Sequence, residues 1–537
     1  GVSLGACDAI RKRPKGALRV VSAPPRMASR GLDDIPYRLH PLSYPRERGG
    51  DQHGYLSAQV GIAHWAHHRL VFSFSIWSRL MNIPTAPLGD NKPSSMFFWP
   101  TPERPMVDRG EGIYLWDRDG KRYIDACSGP QTANIGHGNK RVREAMMEQA
   151  EKVSYAFRSH FLNEPAERLA REIAAQAPDG LDQVFFGSGG SEAVEACIKL
   201  ARQYAIATGQ ATRYKVISRL PSYHGTTLGA LSLTGDPAGF SMFAPMMVNH
   251  PKIPAPFCRY RPAGQAEDEA ALAYANALET EIINQGVETV LAFIMEPIGG
   301  AATAALTAPD IYYSRVREVC DQYGVLLIFD EVMSGAGRSG KYLSAEHWGV
   351  TPDLVALAKG LASGYIPLGA CLTSSHIVGT VDDAGGFMHG HTYSASPIAC
   401  AVGRAVLAEH LEHDLIGNAA RMGAVLKGRL VGLLDEFEFI GEIRGRGLLL
   451  GFDIIADRET GRALPPELDA YAHLSQEAYD RGLIIYSRRT LGGARGDNFL
   501  VSPPLIVTED QIDEIMELLV DALRAFAPTA RAAINAS

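Results

Sequence analysis

The stretch LLIFDEVMSGAGRSG, Leu326–Gly340, joins a short apolar run to two adjacent acids, Asp330 and Glu331. Glycines, a serine and an arginine follow, which is typical of a buried strand that ends in a loop. The two acids could simply face water just past the strand. They could also lie at the carboxyl end of a parallel sheet and bind a ligand there. The stretch alone leaves both interpretations open.

Outward from this stretch, short apolar runs alternate with segments of helical spacing. QVFFGSGG precedes the helical segment SEAVEACIKLARQYA, and TVLAFIMEP, VLLIFDEV and DLVALAKG are further candidate strands. This alternation predicts an α/β fold whose mostly parallel sheet is covered by helices on both faces. From about Ser396 the pattern changes, which indicates a second, smaller α+β domain.

Bulk properties exclude several classes of protein. A chain of 537 residues exceeds what one hydrophobic core usually supports, so we expect two domains. The net charge of −8 and the lack of a basic stripe argue against nucleic-acid binding. Seven scattered cysteines without a CxxC pair predict neither disulfides nor a metal site, and favour a reducing, cytoplasmic location. We find no apolar run long enough to predict a membrane span.

The first eighty residues differ in composition from the rest. Residues 1–30 carry seven Lys or Arg and one acid, Asp8, and the periodicity up to residue 80 is poor. A basic, acid-poor leader is typical of a targeting segment, although translated upstream sequence would look the same. We expect residues 1–80 to be dispensable, with the functional chain beginning near Met81.

A glycine-rich turn follows one candidate strand in VFFGSGGSEAVEACIKLAR. Gly189, Gly190 and Ser191 would stand at the start of a helix, where free backbone N–H groups and the helix dipole favour a phosphate. The spacing matches neither a Walker loop nor a dinucleotide fingerprint. A tight strand-to-helix turn with no ligand is the alternative.

Lys359 closes another apolar run, in DLVALAKG. Burial of a lysine costs free energy unless the amine is paired, covalently used or neutral. A lysine with a lowered pKa is a good nucleophile toward aldehydes, whereas an ordinary one would extend to the surface.

Together, the phosphate loop, the strand-end acid and the strand-end lysine match the needs of pyridoxal 5'-phosphate. The loop would hold the phosphate, Lys359 would hold the aldehyde as a Schiff base, and Asp330 would keep the pyridine nitrogen protonated. This combination favours the ligand-binding interpretation of Asp330.

The segment LLIFDEVMSGAGRSGKYLSAEHWGVTPDLVALAKGLASGYIPLGA resembles the signature of class III pyridoxal-phosphate aminotransferases, the ω-aminotransferase group of fold type I. The resemblance covers roughly residues 105–525. It implies a large cofactor-binding domain over 139–395. It also implies a small α+β domain built from an N-terminal segment, 81–138, and a C-terminal one, 396–537.

The resemblance also implies roles for individual residues. Lys359 would be the cofactor lysine and proton shuttle, and Asp330 the partner of the ring nitrogen. Val332 and Tyr223 would cover the two faces of the ring. Thr392 would reach the phosphate of a neighbouring subunit, so a homodimer or a dimer of dimers is implied. The remaining implied cofactor contacts are Gly189, Gly190, Ser191, His224, Gly225 and Glu296.

Substrate recognition requires an arginine if one substrate is a keto acid. Arg488, Arg489 and Arg495 lie in YSRRTLGGARGDNF, and we favour Arg495; Arg158 could form a second carboxylate site. Tyr155, Phe157 and Gln131 are candidates for lining the donor pocket.

The sequence therefore predicts transfer of an amino group from an amine or a β- or ω-amino acid to a keto acid, with pyruvate as the expected acceptor. The first alternative is an aminomutase, racemase or decarboxylase on the same fold. The second is a binding protein that retains the fold without catalysis.

Overall fold

The computed structural model of the protein describes residues 96–97 and 104–536. The predicted leader, residues 1–80, lies outside the described residues. Its dispensability stays a prediction, and so do the domain boundaries at 138/139 and 395/396. Among the described residues, no helix combines the length and the apolar character needed to cross a membrane.

A seven-stranded sheet forms the centre of the fold, and all its strands come from residues 183–373. The strands are parallel except Gly369–Thr373, which pairs antiparallel with both of its neighbours. The predicted α/β class with a mostly parallel sheet is confirmed. In spatial order the strands are Gln183–Gly187, Gly369–Thr373, Leu354–Leu357, Leu326–Asp330, Val290–Met295, Lys215–Leu220 and Lys252–Pro254.

Side chains alternate between the two faces of this sheet and join two hydrophobic clusters. Ile294 and Ile328 pack with the helix Gly190–Ala207, whereas Phe293 and Phe329 pack on the opposite face. Because the strands are covered on both faces, they read as nearly continuous apolar runs rather than as alternating patterns.

Two smaller sheets lie outside the central one. The first combines Val107–Glu111, Tyr114–Asp117, Arg122–Asp125 and Leu483–Ile484; the second combines Ile440–Arg446, Leu449–Asp457, Arg462–Ala463, Tyr486–Arg489 and Asp497–Val501. The long helices are Lys140–Lys152, Glu164–Ala174, Gly190–Ala207, Glu267–Gln285, Asp310–Tyr323, Ser375–Asp383, Pro397–Glu412, Leu415–Glu436, Ala470–Asp480 and Glu509–Ala536; shorter ones are Ser128–Gln131, Leu228–Leu233 and Pro237–Phe240.

Local sequence explains where several helices begin and end. The helix Glu164–Ala174 starts after Asn163, whose side-chain oxygen accepts from the backbone N–H of Ala166. The helix Asp310–Tyr323 ends at Gly324, whose left-handed backbone (φ 60°) suits glycine best. These signals set the lengths of helices that cover the sheet.

Arg338 connects distant parts of the chain beneath the strand ends. Its fully buried guanidinium donates to Ser128 Oγ at 3.0 Å, to Asn134 Oδ1 at 2.6 Å and to the backbone carbonyl of Leu448 at 3.2 Å. Burial lowers the pKa of Arg338 to about 9. Arg338 therefore fixes the loop after Asp330 against both the N-terminal and the C-terminal segments.

Candidate active site

A cavity of about 510 Å³ opens at the carboxyl edge of the central sheet. It forms there because loops from neighbouring parallel strands meet at this edge. Several residues that the sequence singled out separately line it together: Gly189, Gly190, Ser191, Tyr223, His224, Gly225, Glu296, Asp330, Val332 and Lys359.

The glycine loop is shaped for close approach of a ligand. Gly189 precedes the helix Gly190–Ala207 and contributes no side-chain cap, which leaves the first N–H groups available. A Cβ atom on Gly190 would lie 2.8 Å from Val332 Cγ1, and one on Gly225 would lie 2.4 Å from Ser191 Oγ. Ser191 Oγ also accepts from the backbone N–H of Thr226 at 3.1 Å. A side chain at either glycine position would therefore clash with Val332 or Ser191.

Asp330 ends its strand with both carboxylate oxygens oriented. His224 Nδ1 donates to Asp330 Oδ2 at 2.8 Å, and the backbone N–H of Val332 donates to Oδ1 at 3.1 Å. Both His224 and Asp330 are buried, and Asp330 lines the cavity. The carboxylate is thus held in one direction, as a counter-charge to a cationic ligand atom requires.

Glu331, the second acid of the pair, has a different role. Its carboxylate accepts from the backbone N–H groups of Ser344 at 2.9 Å and Ala345 at 2.8 Å, and from Ser334 Oγ at 2.9 Å. Burial raises the pKa of Glu331 in spite of these donors. Adjacent positions on a strand point to opposite faces, so Asp330 lines the cavity while Glu331 ties down the following loop.

Lys359 follows the strand Leu354–Leu357 and points into the cavity. Desolvation lowers its pKa to about 8, against the attraction of Asp330 and Glu296. Among the described residues, none forms a hydrogen bond or ion pair with Lys359 Nζ. Its φ of 48° is left-handed, a conformation that costs free energy and clusters at functional sites.

Glu296 lines the cavity and pairs with Arg219, and both side chains are buried. Glu296 Oε1 accepts from the backbone N–H of Gly300 at 3.1 Å, and Oε2 lies 3.8 Å from a guanidinium nitrogen of Arg219. Burial raises the pKa of Glu296, partly offset by His224 and Arg219. Glu296 is therefore a second acid, besides Asp330, that attracts the Lys359 amine.

Arg488 also lines the cavity, and it lies on the strand Tyr486–Arg489 of the second smaller sheet. Its guanidinium carbon lies 4.8 Å from the centre of the Tyr223 ring, and Nη2 lies 3.1 Å from Asp236 Oδ2. Arg488 also contributes to the lowered pKa of Lys359, because the two cations repel each other. Arg488 and Lys359 thus line the same cavity.

The other arginine candidates lie elsewhere. Arg495, which the sequence favoured, is not among the cavity residues; its guanidinium carbon lies 4.9 Å from the Phe257 ring centre. Arg158 lines a separate cavity of about 180 Å³ beside Phe185. Arg489 is neutralised by Asp469 and Asp497.

The remaining predicted residues do not line the cavity. Gln131 is buried between the lining residues Pro130 and Thr132, and neither of its side-chain amide atoms has a partner among the described residues. Tyr155 donates from its hydroxyl to the backbone carbonyl of Thr392 at 3.0 Å. Phe157 lies against the ring of His160.

Sequence reasoning missed several lining residues and one central contact. Tyr486 and Thr132 carry no local motif, and only the fold brings them to the cavity. The contact of His224 with Asp330 spans 106 positions in the chain. The resemblance singles out His224 but not its partner.

The fold and site define a family, and comparison with known proteins agrees. The model of the Aminotransferase class-III family matches residues 100–523. The chain therefore belongs to the class III aminotransferases, which are pyridoxal-phosphate-dependent enzymes, and the resemblance stated from the sequence is confirmed.

Individual relatives cover most of the chain. It is 40% identical over 423 residues to the aminotransferase YodT of Bacillus subtilis, covering 78% of this chain and 95% of that protein. It is 34% identical over 431 residues to gamma-aminobutyrate transaminase 1 of Oryza sativa subsp. indica, covering 78% and 81%.

Solved structures agree as well. The (S)-enantioselective omega-transaminase from Thermomicrobium roseum is 37% identical with a TM-score of 0.74, covering 79% of this chain and 92% of that one. The omega transaminase from Pseudomonas jessenii, solved in complex with PMP, is 32% identical with a TM-score of 0.74, covering 80% and 94%.

The residues of the cavity fit pyridoxal phosphate. The uncapped helix start offers N–H donors to a phosphate, and the Asp330 carboxylate has a fixed direction for a ring cation. Lys359 Nζ has no partner among the described residues and a lowered pKa, which suits covalent attachment of an aldehyde. Val332 and Tyr223 are the side chains available to cover a flat ring.

Proposed function

We propose that the protein transfers the amino group of an amine, or of a β- or ω-amino acid, to a keto acid, with pyruvate as acceptor. One observation carries this proposal: Arg488 and Lys359 line the same cavity. The arginine suits the carboxylate of a keto acid, and the lysine suits the amino-group chemistry.

The reaction needs a cofactor and a proton carrier. Pyridoxal phosphate, when bound, supplies an aldehyde that receives the amino group and a ring that accepts electrons. Lys359 Nζ would hold the cofactor covalently at rest. During turnover its amine would carry the transferred proton.

The acids of the site stabilise charge rather than transfer protons. Asp330 keeps the ring nitrogen protonated through its negative charge, and His224 holds the carboxylate in place. The backbone of Gly189 and Gly190, with Ser191, would bind the phosphate. Val332 and Tyr223 would pack against the ring.

The donor side of the cavity favours a substrate with an apolar part. Met333, Ile366 and Leu368 are apolar residues that also line the cavity. A methionine can adjust its shape to different ligands. The neighbouring omega-transaminase structures and the gamma-aminobutyrate transaminase relative support an amine or an ω-amino acid as the donor class.

We further propose that the active protein is a homodimer in which Thr392 contacts the phosphate of the partner subunit. Thr392 is exposed in the isolated chain, and the apolar side chains of Met388, Tyr393, Phe161 and Leu162 are exposed as well. Exposed apolar side chains of this size favour burial against a second copy. The first test is the oligomeric state of the full chain by light scattering; a monomer that turns over at full rate would contradict this part.

The transfer itself is tested by separate half-reactions. Cofactor-loaded protein is mixed with excess (S)-1-phenylethylamine, and the visible absorbance and the released ketone are followed. We expect loss of the visible band with one ketone released per site. After the excess amine has been removed, addition of pyruvate should restore the band and yield one alanine per site.

Other reactions on the same fold give different results. An aminomutase, racemase or decarboxylase would complete its reaction without a keto acid, and pyruvate would have no effect. Protein that fails to develop the cofactor's visible band at all would contradict the enzymatic proposal.

A further inference from the structure

Three arginines, Arg259, Arg261 and Arg458, line a second cavity of about 420 Å³. The rest of its lining is the loop 262–265 and one acid, Glu459. This arginine cavity shares no lining residue with the candidate active site. Three positive charges and one negative charge leave it with a net charge of +2.

No acid among the described residues forms an ion pair with any of these three arginines. Their guanidinium groups donate to backbone carbonyls instead. Arg259 Nη2 donates to the carbonyl of Arg458 at 3.3 Å, and Arg261 Nε donates to that of Gln265 at 2.9 Å. Arg458 Nε donates to the carbonyl of Ile440 at 2.6 Å. These contacts hold the side chains in place but do not neutralise their charges.

The cations of the arginine cavity also repel one another. Desolvation, and then repulsion by Arg259, lower the pKa of Arg458. Glu438 and Asp435 oppose this shift from a distance, and Glu438 is already paired with Arg531 at 2.9 Å. An anion in the cavity would supply the missing counter-charge.

Another cavity, of about 440 Å³, shows the usual arrangement of arginines at the surface of this protein. It is lined by Arg141, Arg168 and Arg404. Each of them is paired with glutamate: Arg141 with Glu409 and Glu412, Arg168 with Glu164, and Arg404 with Glu172. The lack of ion pairs is therefore a particular feature of the arginine cavity.

The chemistry of the arginine cavity suits a phosphate group. Nη1 of Arg259, Nη2 of Arg261 and Nη1 of Arg458 donate to none of the described residues, and guanidinium donors bind phosphate well. A phosphate monoester carries a charge of about −1.5 to −2 at neutral pH, which balances the charge of the cavity. The described lining includes no aromatic ring on which a nucleotide base could stack.

We infer that the arginine cavity binds a phosphate group, either free or carried by a small polar molecule. The bound phosphate would contact guanidinium groups from two segments of the chain. Arg259 and Arg261 precede the helix Glu267–Gln285, whereas Arg458 follows the strand Leu449–Asp457. Binding would therefore link the two segments and raise the thermal stability of the protein.

The test is calorimetry with two probes, inorganic phosphate and glycerol 3-phosphate. Cofactor-loaded protein is used, so that the cofactor's own phosphate keeps the probes from the glycine loop. Low ionic strength limits screening of the charges. Thermal unfolding with and without each probe gives a second measure of binding.

Five variants locate the binding. Arg259→Gln and Arg261→Gln each remove one charge but keep a long polar side chain, and Glu459→Gln removes the acid of the cavity. Arg168→Gln removes a charge from the cavity with paired arginines. Arg488→Ala tests whether the probes bind in the candidate active site instead.

We expect Arg259→Gln and Arg261→Gln each to weaken binding about tenfold, because a charge-assisted contact is lost. Glu459→Gln should tighten binding about threefold or more, since a repulsive charge is gone, and misfolding would not produce such a gain. Both probes should raise the Tm of the wild type by more than that of the two arginine variants. Arg168→Gln and Arg488→Ala should bind like the wild type.

Absence of binding to the wild type, or unchanged binding in both Arg259→Gln and Arg261→Gln, would overturn the inference. Equal weakening in Arg168→Gln would overturn it too, because the anion would then respond to general surface charge. Loss of binding in Arg488→Ala would place the anion in the candidate active site and would also contradict the inference.

The two probes distinguish the sources of the phosphate. Tighter binding of glycerol 3-phosphate indicates a phosphorylated small molecule, and equal or tighter binding of inorganic phosphate indicates the free ion; both results uphold a phosphate site. None of these measurements uses an amine or a keto acid, so failure of the proposed function would leave them unchanged.

Discussion

The two sides of the cavity are built in different ways. The cofactor side is built from residues at or just past the ends of strands of one sheet, such as Gly189, Asp330 and Lys359. The substrate side brings Arg488 from a different sheet against Asp236, 252 positions away in the chain. The sheet can therefore fix the residues that hold the cofactor. A few long-range side-chain contacts can change which substrate is bound.

Among single substitutions on the cofactor side, replacement of Lys359 should have the largest effect. Lys359→Ala should lower turnover by about 10⁴-fold or more, because both the covalent link and the proton carrier are lost. The visible band of the bound aldehyde should change, while circular dichroism should match that of the wild type. Turnover at the wild-type rate would contradict the role of Lys359.

Asp330 tests the charge on the same side. Asp330→Asn should lower kcat by about 10²- to 10³-fold, because the ring nitrogen loses its counter-charge while the strand end keeps its shape. His224→Gln should have a smaller effect, since it removes only the hydrogen bond that orients the carboxylate. Equal losses in the two variants would show that orientation, rather than charge, is what matters.

The pKa of Lys359 makes a prediction about cofactor loading. Only the neutral amine attacks an aldehyde, so the rate of cofactor capture by the cofactor-free protein should rise about tenfold per pH unit below the pKa. Burial lowers this pKa to about 8, and the rate should level off there. A rate that kept rising to about pH 10, as for an ordinary lysine, would contradict the lowered pKa.

Replacing Arg489 should have the smallest effect on substrate recognition, so this residue serves as a control for Arg488. Arg489→Ala should leave the KM for pyruvate unchanged but lower the free energy of unfolding by about 3 kcal/mol, because the buried Asp497 loses its two-point partner. Denaturant unfolding and steady-state kinetics measure the two quantities on one preparation. A raised KM with normal stability would show that Arg489 serves the substrate.

Most of the cofactor side could be predicted from the sequence, because each of its motifs combines a strand with the turn that follows it. Asp330 and Lys359 end apolar runs, and the glycine loop begins a helix, so the topology of a parallel sheet is enough to bring them together. The roles of these residues stay predictions, although their positions in one cavity agree with them.

The substrate side could not be predicted because its decisive contacts are not local. Arg488, Arg489 and Arg495 lie in one short stretch of sequence, and the favoured Arg495 lies by Phe257 instead of in the cavity. The alternation of side chains along the strand Tyr486–Arg489 directs Arg488 toward Asp236 and Arg489 toward Asp497. One residue of register therefore decides that Arg488, and not Arg489, lines the cavity.

The most direct test of the whole account is the pair of half-reactions in Arg488→Ala, measured in single turnovers. We expect the half-reaction with (S)-1-phenylethylamine to proceed close to the wild-type rate, because the cofactor side is intact and this donor has no carboxylate. The half-reaction with pyruvate should require a concentration about tenfold or more higher for the same rate. If both half-reactions slowed equally, or if neither changed, the division of the cavity into a cofactor side and a carboxylate-binding substrate side would be wrong.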